Sequence, residues 1–244
     1  MHNKLIFLIL LIATLLLLEP ILEAKPLDKP ADIILLSANN PPYTYRNEQG
    51  QIVGTSVKQV TGILETAAVS YDMQIAPWSR AMEIIKQPKT ILLYPLSRIP
   101  QREDKFQWIT PIHTMRLKLY GLKNKVDTNL TNIENDAFKF TCIEGGVVCS
   151  VLKSLDINES NILVLNGLRD NQSLKLLVQG RVDFLVISDD NLPNMAKSIN
   201  QLGHELIALD NYHTEIPEYL AANIHADKTI INKIKQALNT KSNH

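Results

Sequence analysis

The sequence is short of most features that mark a specialised surface or a reactive centre. Its 25 Lys and Arg are matched by 25 Asp and Glu, so no net field draws the chain to nucleic acid or to an anionic membrane. Cys142 and Cys149 are the only cysteines, too few for a disulfide-built mini-domain. No His or acid falls near them at metal-ligand spacing, so no metal site is expected. There is no G-x-S-x-G elbow, no phosphate-cradling glycine loop and no paired metal motif. The familiar nucleophile, nucleotide and metal chemistries are therefore not indicated, and no cofactor is implied. Beyond Leu18 no apolar run approaches the roughly 20 residues that a membrane-spanning helix needs.

What is present begins with an asymmetric N-terminus. "MHNK" gives a basic start, Leu5 to Leu18 form a fourteen-residue apolar run, and "EPILEA" follows. That layout predicts a secretory signal peptide over residues 1–24 with cleavage after Ala24, an uncleaved anchor being the alternative. The expected destination is the periplasm. Removing the segment takes away one lysine and two glutamates, leaving 220 residues with 24 basic and 23 acidic side chains. That length suffices for two modest lobes or one large domain. In an oxidising compartment Cys142 and Cys149 are expected to close "CIEGGVVC" as a disulfide; the other reading is two small buried apolar residues.

From Ala31 onward strand-like and helix-like stretches alternate. "ADIILLSA", "DMQIAPW" and "KTILLYPLS" read as strands. Between them, Val57, Val60, Ile63, Leu64 and Ala67 recur at helical spacing, and "SRAMEIIKQ" is a short helix. "IHTMRLKLYGLK" reads as a strand crossing out of this first group. A second run follows, with strands "AFKFTCIEG", "NILVLN" and "RVDFLVIS" and helices "VVCSVLKSL", "LRDNQSLKLLVQG" and "NLPNMAKSINQLG". "HELIALD" and "EYLAANI" read as two further strands, and "DKTIINKIKQALNTK" as an amphipathic terminal helix. The alternation predicts an α/β fold with two mostly parallel sheets and a cleft between them. Ligands in open sheets sit beyond the carboxyl ends of strands, and "NNPPYTY", "PLSRIPQRE", "CIEGG" and "ISDDN" all fall at such ends.

"PLSRIPQRE" is the stretch that carries chemistry, because it gathers Arg98 and Arg102 where a strand gives way to a turn. A guanidinium presents a planar donor fork that pairs both oxygens of a carboxylate and keeps its charge when partly desolvated. The blander reading of Arg102 is a surface arginine paired with Glu103 or Asp104. Arg98 is either a second cleft cation or one side of an ion pair. Tyr43 and Tyr45 are either an aromatic wall over a ligand or packing beneath the Pro41-Pro42 turn. Trp78 either stacks on a ligand or closes the core, and Arg80 is expected in a structural salt bridge. Glu144 and the amides of Gly145 and Gly146 precede a helix start, where backbone donors favour an anion and Glu144 opposes one.

"NPPYTYRNEQGQIVG", "PWSRA", "PLSRIPQREDKFQW" and the later "QGRVDFLV" resemble the type II periplasmic solute-binding proteins of the polar amino acid class, solute-binding family 3. The similarity covers essentially the whole mature chain. It implies a two-lobed clamshell, with lobe 1 formed by residues 28–119 and 206–244 and lobe 2 by 120–205. It also implies capture of a small carboxylate-bearing solute, an amino acid or relative, by lobe closure and delivery to a membrane ABC permease. Such a protein is non-catalytic and expected to be a monomer. Within the resemblance, Arg102 matches the arginine that grips a ligand α-carboxylate and Ser97 a hydroxyl that assists it. Tyr43 and Tyr45 match the aromatic wall. Aligning on "GRVD" puts Ser188 where the family keeps an acid for the ligand's ammonium, with Asp189 one step on. A second departure is Thr55 and Lys58, where the family shows an aromatic and an acid.

Two other functions fit the same fold. A sensor would present its ligand-closed form to a membrane signalling protein rather than to a permease. A dehydratase or lyase would keep the arginine and add a general acid, for which Glu144, His113, His204 and His213 are the candidates.

Overall fold

The computed structural model of the chain describes residues 31–127, 130, 133, 138–166 and 172–241. The expected signal peptide and the first residues of the expected lobe 1 lie outside the described residues, as does the start of "LRDNQSLKLLVQG".

Strand β1 (Ile33–Ser37) is flanked in parallel by β4 (Tyr71–Ile75) and β5 (Ile91–Ser97). Their apolar runs are buried on both faces: Leu35, Leu36, Ile91, Leu92 and Leu96 are fully shielded from solvent. This is what a parallel sheet covered by helices requires. The covering helices are α1 (Thr55–Thr66), α2 (Trp78–Ile84) and the terminal α6 (Lys228–Lys241). α1 buries Val57, Val60, Ile63 and Leu64, the stripe that the sequence spacing marks out.

The second group comprises β7 (Phe140–Ile143), β8 (Ile162–Leu165) and β9 (Leu185–Ser188), with α3 (Val147–Ser154), α4 (Gln172–Val178) and α5 (Leu192–Asn200). Its apolar side chains form their own clusters, one around Phe140, Leu152 and Phe184, another around Leu174, Leu177, Ile187 and Ile199. A short hairpin of β2 (Tyr45–Arg46) and β3 (Ile52–Val53) completes the strands.

Two long strands join the groups. β6 (Phe106–Leu122) and β10 (Leu206–Asn223) pair antiparallel along nearly their full length. The larger sheet therefore runs β4-β1-β5-β10-β6-β9, while β7 and β8 pair in parallel separately. "HELIALD" and "EYLAANI" are thus one strand and not two. The strand continues because β6 pairs with it up to Leu209 and again from His213, the register shifting across the three residues between and again at Glu218–Tyr219. β6 likewise begins earlier than its sequence reading, at Phe106. The main sheet is mixed, parallel where helices intervene between strands and antiparallel where the two long strands return.

Cys142 and Cys149 form a disulfide from the end of β7 to the first turn of α3. It spans Ile143 to Val148 and ties down the turn at Glu144, Gly145 and Gly146. In the chain-entropy picture a loop this short contributes about 2 to 3 kcal/mol. Thiol titration of the unreduced, denatured protein should find no free thiol, and Cys142→Ala/Cys149→Ala should melt lower by an amount in that range. Two reactive thiols in the unreduced protein would show that the bond does not form.

Candidate functional site

β5 ends at Ser97, and the chain must turn at once. Ile99 is still extended, and Pro100 opens a 3-10 turn over Pro100–Lys105 in which the Arg102 amide donates to the Ile99 carbonyl at 2.9 Å. That turn brings the Arg102 side chain back under the strand end. The residue is 8% exposed, unusual for an arginine without an ion-pair partner among its hydrogen bonds. One terminal N–H donates to the Ser97 carbonyl at 3.1 Å, another to the Gly145 carbonyl at 2.8 Å. The guanidinium carbon lies 4.7 Å from the Trp78 ring centroid, a cation–π stack. Burial pulls its pKa down to about 10, with Glu218 pushing the other way, so it stays charged at neutral pH. Two of its five N–H donors are used by carbonyls, and the group borders a cavity of about 310 Å³.

Gly145 meets Arg102 from the second group. The Trp78 indole N–H also donates to the Gly145 carbonyl, at 3.1 Å. Gly145 has φ +67°, and a Cβ there would stand 3.2 Å from the Trp78 indole nitrogen. Only glycine suits both the turn and the close approach. Gly54 plays a comparable part at the "PPYTY" loop, because with φ +140° a Cβ would fall 2.1 Å from the Tyr43 carbonyl oxygen. The first amides of α1, Thr55 and Ser56, donate to the Pro42 and Tyr43 carbonyls and hold that loop.

The cavity draws on both groups of elements. Asn40, Trp78, Ser97 and Arg102 line it from one side, and Thr141, Val147, Ser188 and Met195 from the other. Much of the rest of its wall is aliphatic. Tyr94, buried in β5, also lines it, and burial pushes its phenol up to about 12 against an opposing contact with Thr44. One lining residue was not singled out from the sequence. Glu218, in β10, is 4% exposed and accepts a hydrogen bond from the Ser97 hydroxyl at 2.7 Å. Its other oxygen lies 2.9 Å from His113 Nε2. The strand register explains the grouping, since Glu218 pairs with Ser97 of β5 on one side and with His113 of β6 on the other. A lone acid heading the apolar run "EYLAAN" was the available signal in the sequence.

The remaining candidates fall elsewhere. Arg98 does not line the cavity; it forks onto the Glu103 carboxylate and packs over the Trp108 and Tyr219 rings at 5.3 and 5.1 Å. Of its two readings the structure takes the ion pair, because the 3-10 turn places Glu103 within reach. Tyr45 sits in the β2–β3 hairpin opposite Val53, outside the cavity. Asp189 uses its amide to cap the Arg116 carbonyl and does not reach the cavity, and Glu144 is exposed at the turn. Of the two amides the sequence suggested for an anion, that of Gly146 is already bonded to the Ile143 carbonyl, and Gly145 presents its carbonyl to the Arg102 cation. Tyr43 lies just beyond the cavity lining, its ring stacked 4.0 Å from His113 and its hydroxyl donated to Asp190. Burial, then the Asp190 bond, push its phenol well above the ordinary tyrosine range.

The profile of bacterial extracellular solute-binding proteins, family 3, matches residues 33–242. No curated protein matches the chain by sequence. Among solved structures, a histidine kinase sensor domain with similarity to periplasmic binding proteins superposes with a TM-score of 0.70 at 15% identity, covering 87% of this chain and 91% of that one. The arginine-, lysine-, histidine-binding protein ArtJ of Geobacillus stearothermophilus gives 0.68 at 13% identity, over 87% and 90% of the two chains. The amino acid ABC transporter substrate-binding protein AbpA of Streptococcus pneumoniae, bound to L-arginine, gives 0.65 at 18%, again over 87% and 90%. At these identities the likeness establishes the fold, that of the type II periplasmic binding proteins.

The Tyr43–Asp190 bond joins the two groups without using a cavity-lining atom, so its strength can be measured alone. Tyr43→Phe and Asp190→Asn should each lower thermal stability, and the double variant should lose less than their sum by about 1 kcal/mol. Strict additivity in that cycle would show that the two side chains do not meet in solution.

Proposed function

The chain belongs to the bacterial extracellular solute-binding proteins, family 3, and on that premise we propose that it captures a small carboxylate-bearing solute between its two groups of elements. The observation that carries this reading is Arg102, a buried cation on the cavity wall whose hydrogen-bond partners, among the described residues, are carbonyl oxygens. A carboxylate would satisfy the remaining donors in the forked geometry that guanidinium favours, at about 1.5 to 3 kcal/mol for each charged hydrogen bond. Ser97, Ser188 and Trp78 also line the cavity and are the supporting contacts. Asp190, Tyr43, Arg98 and Tyr45 are assigned to structure around it.

In this reading the lobes are residues 28–119 with 206–244, and residues 120–205. β6 and β10 are the connections that flex as the lobes close. The solute passes from the periplasm to a membrane ABC permease, as the description of AbpA as a transporter's binding protein suggests. A second reading, in which the closed form addresses a membrane signalling protein, is favoured by the superposition on a histidine kinase sensor domain. Both are non-catalytic. Glu144, His113, His204 and His213, the acids that a lyase would call on, do not line the cavity.

A thermal-shift screen against amino acids, small di-acids and amines tests the capture. A ligand at 100 times its Kd should stabilise the wild-type protein by about 2.7 kcal/mol, and Arg102→Ala should abolish that shift. An undiminished shift in the variant would dispose of Arg102 as the anchor.

A further inference from the structure

Arg102 and Glu218 are the only basic and acidic side chains lining the cavity among the described residues. They meet at one residue. The Ser97 carbonyl accepts from the guanidinium, and the Ser97 hydroxyl donates to the carboxylate. One cation and one anion thus stand side by side at the end of β5, while most of the wall beyond them is aliphatic, with Ala81, Leu93, Leu117, Val147, Ile187 and Met195 in it.

Glu218 is too buried to be left to solvent. A carboxylate has about four acceptor positions; the Ser97 hydroxyl fills one, and His113 Nε2 at 2.9 Å stands against the other oxygen. The two acids just past the end of β9 do not share its place. Asp190 is occupied by the Tyr43 hydroxyl, and neither Asp189 nor Asp190 lines the cavity.

Resting on the carboxylate capture proposed above, we infer that the ligand is a compact zwitterion with an uncharged, largely apolar side chain, its carboxylate on Arg102 and its ammonium on Glu218. The ammonium contact comes from β10, beside the arginine, and not from the end of β9. A ligand with a second cation, such as arginine, finds no second carboxylate in the wall. Desolvating that charge without a partner disfavours it. An apolar side chain, by contrast, gains from the aliphatic wall. Specificity therefore differs from the arginine, lysine and histidine binding named for ArtJ, and the ligand from the arginine bound to AbpA.

Isothermal titration of the mature protein decides the matter. The probes are L-leucine, L-methionine, L-phenylalanine and L-arginine, with the desamino acids 4-methylpentanoate, 4-(methylthio)butanoate and 3-phenylpropanoate. At least one of the three apolar amino acids should bind, with its desamino counterpart and arginine each about 100-fold weaker, the size of one lost charged contact. Glu218→Gln should weaken the amino acid about 100-fold and leave the desamino acid within about threefold of wild type. Tighter binding of arginine than of all three apolar amino acids would overturn the inference. So would desamino acids that bind as well as their parents, or Glu218→Gln weakening both classes alike. Either of the first two results would leave carboxylate capture standing. Only failure of every carboxylate to bind would bring down both. Should Glu218→Gln not fold, the wild-type comparison of each amino acid with its desamino acid is sufficient by itself.

Discussion

A guanidinium cannot be buried beside aliphatic walls without acceptors, and the arrangement of this molecule follows from meeting that demand at Arg102. Its two hydrogen-bond acceptors are backbone carbonyls, Ser97 from its own turn and Gly145 from the opposite side of the cavity. Carbonyls offer dipoles and no net charge. Glu218 supplies some compensating field, yet burial still dominates and the guanidinium's pKa lies well below its ordinary value. A cation held in this condition would interact favourably with an anion entering the cavity, which is the basis of the proposed capture.

The demand at Arg102 also explains details far from it in sequence. Gly145 must be glycine for its carbonyl to be presented to both Arg102 and Trp78. The disulfide holds the same turn between the end of β7 and α3. Trp78 heads α2 immediately after Pro77, with its ring against the guanidinium. On the other flank, the pairing of β10 with both β5 and β6 lays Ser97, Glu218 and His113 in one row. The polar pieces of the site come from strands and turns; the helices contribute mainly the apolar wall and the cores behind it.

Much of this was legible in the sequence, and the parts that were not share a cause. Periodicity gave the helices α1 and α6 and the buried strands β1 and β5, because local burial patterns decide those elements. The pairing of Cys142 with Cys149 was legible because the two stand seven residues apart and the chain has no other cysteine. Arg98 was ambiguous, since only the 3-10 turn reveals that Glu103 folds back onto it. Glu218 was missed because its significance lies in cross-strand neighbours more than a hundred residues away. β10 was read as two strands because its polar centre resembles a loop when the partner strand is not considered. Register between distant strands is non-local information, and it settled the last two of these points, whereas the turn itself settled Arg98.

The same non-local geometry bears on how a ligand can favour the closed arrangement. A ligand shifts an equilibrium only by its differential affinity for the two states. Here the Arg102–Gly145 and Tyr43–Asp190 bonds join the two groups directly. A carboxylate on the remaining Arg102 donors adds a contact on one side of the cavity alone, which by itself favours neither state. What rewards closure must then be the part of the ligand that touches the second group, against Val147, Ile187, Ser188 and Met195. On the proposed reading the charged end would anchor and the rest of the molecule would close the lobes, so side-chain identity would govern both affinity and the population of the closed form.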